Sequence, residues 1–585
     1  MSSSKAKAAP RIASKPPSSD GDDDSELELE LDPVEGAASL PDSPLLAPTE
    51  TQPRWLIRRA GRNGRWALWW RRTLTSFADL VRPRLSWRSV LVAVVSLYAL
   101  LCFVRGVPLL ASPLPAYTGR YGVGAIDVEI PLERPRLISD AVFRSNGEPA
   151  FEHKTTLFTV YYPVDKGARE RKPRHDWVAR PIRLTAAGYA KFARVDSFIV
   201  RPIFTFALWA VAGGITIPAK VDAPLLGTTA TVKTGAEAAD GDAERFPVMV
   251  FSHGDASSRT DYTNFVGELA SRGYVVAAVE HRDGSCPGSL VRVGGQEDRE
   301  LLHFKEAELL SDPPMDAERY KQQQLAFRDS EILETISILR AVNSGQGEDI
   351  FGRNSRSEGS HLPSWAGRLD FGNLTIGGHS FGATGALRAL RRAPSDVNPA
   401  VGGVILDPGK SSGPLNAVVD VPLLIVHSDS WSKQPSAFYG RPHFDTVRDL
   451  ALGVLQRTPS LSSWFLTSLG TSHPSVSDAP LIEPLLLGWA TGATLNAKEA
   501  LKEYVRVTDD FWHFLRTTRG VNSSYARDKH VLRGEMRGIL AEKVTHEQYG
   551  TWVSESRKGE VSESLAKLWE VHVSPVSDGD DDNDE

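Results

Sequence analysis

The run from Leu374 to Gly385, Leu-Thr-Ile-Gly-Gly-His-Ser-Phe-Gly-Ala-Thr-Gly, constrains this chain more than any other stretch. An apolar segment, Leu374-Thr375-Ile376, enters Gly378-His379-Ser380-Phe381-Gly382, and an alanine- and leucine-rich segment, Ala386 to Ala393, comes after it. A serine on a sharp strand-to-helix turn takes backbone angles that leave no room for side chains two residues to either side. Glycine is therefore required there, and the hydroxyl projects from the sheet edge at the helix N-terminus. Five-residue matches of this kind also arise by chance in a chain with 48 glycines. The flanking strand and helix are what make Ser380 a candidate nucleophile.

The surrounding patterns fit such a turn. Pro247 to Ser252 and Tyr274 to Val279 read as strands, with a helix from Tyr262 to Arg272 between them. A strand–helix–strand crossover implies a parallel sheet. Val401 to Leu406, Val421 to Val426 and Ser462 to Ser468 continue the series, and Leu157 to Pro163 alternates like a further strand. Residues 300–343 predict one or two helices, with Leu325, Phe327, Ile332, Ile336 and Leu339 as a core stripe. Residues 224–245 read as a surface insertion, 344–370 as a loop, 497–515 as a helix and 520–573 as a peripheral extension. The expected fold is α/β, a mainly parallel sheet flanked by helices.

A serine hydroxyl is a poor nucleophile at neutral pH. It needs an imidazole within hydrogen-bond reach and a carboxylate to fix that ring's tautomer. In the alpha/beta-hydrolase arrangement both come after the serine in the chain, on loops after later strands. Asp407 meets the acid requirement after strand 401–406, and Asp429 meets it after strand 421–426; spacing alone slightly favours Asp429. His473, in a polar Gly-Thr-Ser-His loop, is the candidate base. His427 reads as structural, His443 is unassigned, and His379 would point away from the serine oxygen. An oxyanion hole needs two main-chain N–H groups, supplied here by Phe381 and by Asp255 in Phe251-Ser252-His253-Gly254-Asp255-Ala256. The carboxylate of Asp255 would have to face away from a developing negative charge.

The net charge of −6 hides strong asymmetry. Residues 1–53 read as a disordered tail and 574–585 as an acidic one. Residues 54–88 hold ten arginines against one acid, interleaved with Trp55, Trp66, Trp69, Trp70 and Trp87, a composition suited to a membrane headgroup layer. Ser89 to Val104 carries no charge. With its extension to Ala111 it predicts a single N-terminal transmembrane signal anchor with a cytosolic N-terminus, ahead of a hydrolase domain over 113–573. A short span favours a thin membrane such as the endoplasmic reticulum. The apolar stretch 199–219, broken by glycines and prolines, reads as an interfacial helix leading into a loop. Asn373 and Asn522 head glycosylation sequons, usable on a luminal domain. Only Cys102 and Cys286 are present, which excludes a disulfide framework and Cys-x-x-Cys chemistry. No metal-ligand cluster, cofactor motif or nucleic-acid partner is expected.

Five segments carry a resemblance: FSHGDASSRTDY (251–262), ELASRGYVVAAVEHRDGS (268–285), GGHSFGATGAL (377–387), ILDPG (405–409) and GTSHPSVSDAP (470–480). Together with Tyr121-Gly122-Val123-Gly124 and Tyr161-Tyr162-Pro163, they resemble the platelet-activating factor acetylhydrolases of the plasma and intracellular lipoprotein-associated phospholipase A2 type, in the same order over roughly 115–515. That likeness implies an alpha/beta-hydrolase fold and a calcium-independent serine esterase cleaving short or oxidised sn-2 acyl chains from phospholipids. It implies Ser380 as nucleophile, Asp407 as acid and His473 as base, with Phe381 and Asp255 as oxyanion donors. It also implies that the apolar 198–218 stretch docks on membrane. The chain departs from the family at Asp255-Ala256, where Leu-Gly is common, and at Ala383, where glycine is common; both departures bear on substrate fit. The competing expectations are an esterase or acyltransferase for another ester, and a membrane-tethered, inactive binding module of the same fold.

Overall fold

The structure, a computed structural model, describes residues 86–105, 110–228, 244–433, 440–457, 462–522 and 534–576. The expected disordered tail, nearly all of the basic segment and residues 577–585 lie outside the described residues, as does most of the 224–245 insertion. The chain divides into two units, 1–89 and 90–585, and every candidate site residue lies in the second.

Ten strands form one sheet: β1 (Gly122–Leu137), β2 (Glu152–Val164), β3 (Lys220–Val221), β4 (Phe246–Ser252), β5 (Val275–Glu280), β6 (Leu369–His379), β7 (Gly402–Leu406), β8 (Leu423–Ser428), β9 (Ser463–Ser468) and β10 (Trp569–Val573). Their order is β10-β9-β8-β7-β6-β4-β5-β2-β1-β3. The central run from β9 to β5 is parallel, while β1 and β2 form an antiparallel hairpin beside β5 and β10 pairs antiparallel with β9. Every residue of β4 and β5 is buried, as expected of parallel strands covered on both faces. Alternate residues feed two cores. Val248, Val250, Val275 and Val279 join Ile332, Ile336, Ala386 and Leu387 on one face; Met249, Phe251, Val276 and Ala278 join Phe265, Leu269, Phe511 and Trp512 on the other.

The longer helices include α1 (Trp87–Arg105), α2 (Ile182–Phe192), α3 (Val200–Ala212), α4 (Thr263–Ala270), α5 (Ala317–Ala341), α6 (Phe381–Ala389), α7 (His443–Arg457) and α8 (Ala497–Asn522). Asp316 caps α5, its carboxylate accepting from the Arg319 N–H at 2.7 Å. The whole expected stripe of that helix is buried. The stretch expected to form an interfacial helix is helical over α3. Ala210 and Ala212 face inward, while Ile203, Phe206 and Trp209, with Phe198 and Ile199 just before it, stand exposed.

Three expectations need correction. The segment expected as a transmembrane anchor, 89–111, is helical as far as α1 reaches, and its residues 106–109 lie outside the described residues; no helix among the described residues is long and apolar enough to cross a membrane. The charge-free run between Arg88 and Arg105 is sixteen residues, about 24 Å of helix, against a hydrocarbon layer of about 30 Å. Residues 344–370 are not one loop, since they contain the helix Gly347–Arg353 and the turn Leu362–Trp365, with Trp365 fully buried. The 520–573 extension is not only peripheral: β10 closes the sheet edge, with its five residues buried.

Candidate active site

Ser380 sits between β6 and α6 at φ 57° and ψ −121°, a conformation that non-glycine residues rarely adopt. The two motif glycines make the turn possible. A β-carbon at Gly378 would lie 2.3 Å from the Gly382 carbonyl oxygen, and one at Gly382 would lie 2.0 Å from the Ser252 carbonyl oxygen. The turn packs that tightly because β6 lies between β4 and β7, so its C-terminal end is crowded from both sides.

Each other candidate arises at the same sheet edge. Asp407 comes directly after β7, His473 lies in the loop after β9, and Asp255 lies in the loop after β4. The His473 Nε2 stands 3.0 Å from Ser380 Oγ, and its Nδ1 stands 2.9 Å from Asp407 Oδ2. Asp407 itself takes up φ 46° and accepts two further bonds, from the Ser428 N–H at 2.6 Å and the Ser428 hydroxyl at 2.7 Å. Burial opposes its ionised form, but the charge of the neighbouring His379 and His473 imidazoles and the hydrogen bond from His473 prevail and hold the carboxyl well below the usual carboxylate range. The structure thus brings Ser380, His473 and Asp407 into one line.

Asp429, the rival acid, is engaged elsewhere. Its carboxylate accepts from the Gly470 N–H at 3.2 Å and from the Tyr549 hydroxyl, and it pairs with Lys433 at 3.2 Å. His427 is fully buried against Ser432, and His443 reaches the Pro408 carbonyl at 2.7 Å through Nε2.

Gly254 brings the β4 loop against the elbow: a β-carbon there would lie 3.3 Å from Ser380 Cβ. Neither the Asp255 nor the Phe381 main-chain N–H is taken up by another group among the described residues. The Asp255 carboxylate turns back onto the Ala256 N–H at 3.1 Å and faces His303 and Lys321 at 3.9 and 4.0 Å.

Several supporting residues carry no motif and were missed in the sequence. The Trp431 indole stacks on His473, while its N–H donates to the Pro408 carbonyl at 2.9 Å. The Gly254 N–H donates to the Tyr262 hydroxyl at 3.2 Å, which in turn reaches His379 Nδ1 at 2.9 Å. The other nitrogen of His379, Nε2, comes within 3.9 Å of Asp407, too far for a hydrogen bond and close enough for charge. Fully buried Arg328 donates to the His253 carbonyl at 2.6 Å, pairs with Asp283 at 2.8 Å and lies over the Phe381 ring. A second serine–histidine–carboxylate line, Ser252–His281–Glu331, has both contacts at 2.7 Å, but all three side chains are fully buried, out of reach of a substrate. Only long-range packing puts these groups together. A residue-type pattern at fixed spacing could have flagged neither Trp431, Tyr262 nor Arg328.

The ligand atoms of His379, Asp407 and His473 lie within 4.8 Å of one another. Both ring nitrogens of His473 and both oxygens of Asp407 are already hydrogen-bonded, so these atoms are committed to the serine relay.

Comparison with known proteins agrees with the segments noted in the sequence. The chain is 27% identical to a platelet-activating factor acetylhydrolase from Cavia porcellus over 56% of its length and 67% of that protein. It is 28% identical to the one from Gallus gallus over 48% of its length and 57% of that protein. The chain thus spans between about half and two thirds of the relatives it matches. A solved ferulic acid esterase from Streptomyces cinnamoneus superposes with a TM-score of 0.41 at 18% identity, over 68% of this chain and 92% of that one, too loosely to bear on the site. The family model described as platelet-activating factor acetylhydrolase, isoform II, matches residues 111–535, most of the chain and every candidate site residue, and the chain belongs to that family.

Proposed function

We propose that the protein is a calcium-independent serine esterase that hydrolyses the sn-2 acyl ester of phospholipids bearing short or oxidised chains, through an acyl-enzyme on Ser380. One observation carries the reading: Ser380 Oγ, His473 and Asp407 stand in line at 3.0 and 2.9 Å, and the Phe381 and Asp255 N–H groups are not taken up by another group among the described residues. His473 Nε2 takes the hydroxyl proton as Oγ attacks the ester carbonyl. The oxyanion rests on the N–H groups of Phe381 and Asp255, and Asp407 offsets the charge on the imidazolium. The proton passes to the departing lysophospholipid oxygen, and His473 then activates water to cleave the acyl-enzyme. No step requires a cation.

The phospholipid part of the reading is supported by family membership and by α3. Its exposed Ile203, Phe206 and Trp209 form an apolar face of the kind that sinks into a lipid surface. The test is hydrolysis rate against sn-2 chain length, with Ser380→Ala as control and a fluorophosphonate probe as the label. Expected are loss of both hydrolysis and labelling in S380A, and a rate that falls with acyl length in wild type. Labelling that survives in S380A would sink the reading.

A further inference from the structure

An aspartate is an awkward residue to supply an oxyanion donor. Its N–H attracts the negative charge that develops on the substrate oxygen, while its own carboxylate, a few bonds away, repels that charge. The structure meets the conflict at Asp255 in two ways. The carboxylate turns back to accept from the Ala256 N–H at 3.1 Å, and it faces His303 Nε2 at 3.9 Å and Lys321 Nζ at 4.0 Å. His303 is buried, and burial pushes its pKa down, so a neutral imidazole faces the carboxylate at neutral pH. Lys321 is then the counter-charge of Asp255.

The same ammonium reaches the other donor residue. Lys321 Nζ lies 4.4 Å from the centre of the Phe381 ring, which the Arg328 guanidinium also approaches, at 4.1 Å. A ring face attracts a cation, the more so where water is largely excluded, and the Lys321 side chain is only 21% exposed. Two contacts hold the lysine on α5: Nζ donates to Gln324 Oε1 at 3.0 Å, and the loop after Asp407 packs on its stem, where a β-carbon at Gly413 would lie 3.7 Å from Lys321 Cβ. One ammonium thus joins the side chains of both oxyanion residues, and the mechanism derived above gives it no part.

We propose that Lys321 is a positioning residue of the oxyanion hole, which turns the Asp255 carboxylate away from the reacting carbonyl, offsets its charge and ties the Asp255 loop to Phe381 at the elbow. It acts through those two residues and not on the substrate. The proposal rests on the serine-esterase reading above and deepens it, by naming what makes an acidic residue workable at an oxyanion position.

The test is a double-mutant comparison on full-length protein with one uncharged, monomeric short-chain ester. Acylation and deacylation both pass through an oxyanion, so Lys321→Met should lower kcat about tenfold and leave KM within about twofold of wild type. Lys321→Arg keeps the charge and should retain most of the rate. Asp255→Asn keeps the main-chain N–H and an oxygen for the Ala256 N–H, but removes the carboxylate. In that background Lys321→Met should cost less than about twofold, because no charge remains for the lysine to offset. Packing lost with the lysine is the same in both backgrounds, so a purely structural lysine would cost the same in each. Equal costs in the two backgrounds, or a Lys321→Met protein as fast as wild type, would overturn the proposal and leave the esterase reading standing. A wild type that neither labels with fluorophosphonate nor cleaves the ester overturns the esterase reading itself, and this proposal with it.

Discussion

The indole of Trp431 lies flat on the imidazole of His473, with ring centres 3.8 Å apart and planes 9° apart. The indole N–H is fixed to the Pro408 carbonyl, one residue beyond Asp407. The same side chain therefore sets the plane of the base and the position of the acid's loop. Trp431→Ala should lower kcat by roughly ten- to a hundredfold with little change in KM, because orientation of the base is realised at the transition state. Trp431→Phe keeps a ring but loses the N–H and should fall between. Equal losses in kcat and substrate affinity would point to a collapsed pocket instead.

The two carboxylates considered in the sequence separate cleanly by substitution. Asp407→Asn should cost on the order of 10³–10⁴ in kcat, since it disturbs the tautomer of His473. Asp429→Asn removes contacts to Gly470, Tyr549 and Lys433 and should leave kcat within a fewfold of wild type. Because the relay acts as a unit, Ser380→Ala combined with His473→Ala should be no slower than either alone. Steady-state rates on one soluble ester check all of these.

Gly382→Ala places a methyl group 2.0 Å from a carbonyl oxygen of β4, which no rotamer can relieve. The elbow would have to shift against the oxyanion loop. Expected is loss of fluorophosphonate labelling together with a lower melting temperature, read on the same purified protein.

Burial, with a smaller contribution from the charge of His473, pushes the His379 pKa down to about 4, against 6.5 in an unfolded chain. The unfolded state therefore binds the proton first. The contribution of His379 to stability is fully present above pH 6.5 and is lost as pH falls towards 4, by up to roughly 3 kcal/mol. His379→Gln cannot take up that proton and should show a flatter melting temperature between pH 7 and 4.5. A parallel decline in the two proteins would remove His379 from the account.

The apolar face of α3 can be tested apart from the chemistry. Replacing Ile203, Phe206 and Trp209 together with serine removes three exposed side chains, each worth roughly tenfold in lipid-surface binding. Vesicle sedimentation and hydrolysis of vesicle-borne substrate should both drop sharply, while turnover of a soluble ester holds. A soluble-ester loss of the same size would contradict an interfacial role.

The elbow, the parallel strand series and the core stripe of α5 were legible in the sequence because each rests on local rules: glycine where a β-carbon cannot fit, alternation in strands, and helical spacing of apolar side chains. Ser380, His473 and the oxyanion loop could be read from chain order and strand ends. The choice between Asp407 and Asp429 could not. Both end adjacent parallel strands, and only the resemblance favoured Asp407. In the structure the question turns on where the His473 loop crosses the sheet edge, and that loop brings Nδ1 to Asp407 while Tyr549, from the C-terminal extension, occupies Asp429. The transmembrane expectation rested on composition, and no helix among the described residues reaches the length it needs. Trp431, Tyr262 and Arg328 lie from 51 to 118 residues from Ser380 in the chain and have no motif of their own. Sequence determined which residue types could perform acyl transfer and on which scaffold. Tertiary packing alone decided which carboxylate faces the base and which ring holds it flat, because those relations depend on contacts between segments whose spacing in the chain carries no trace of them.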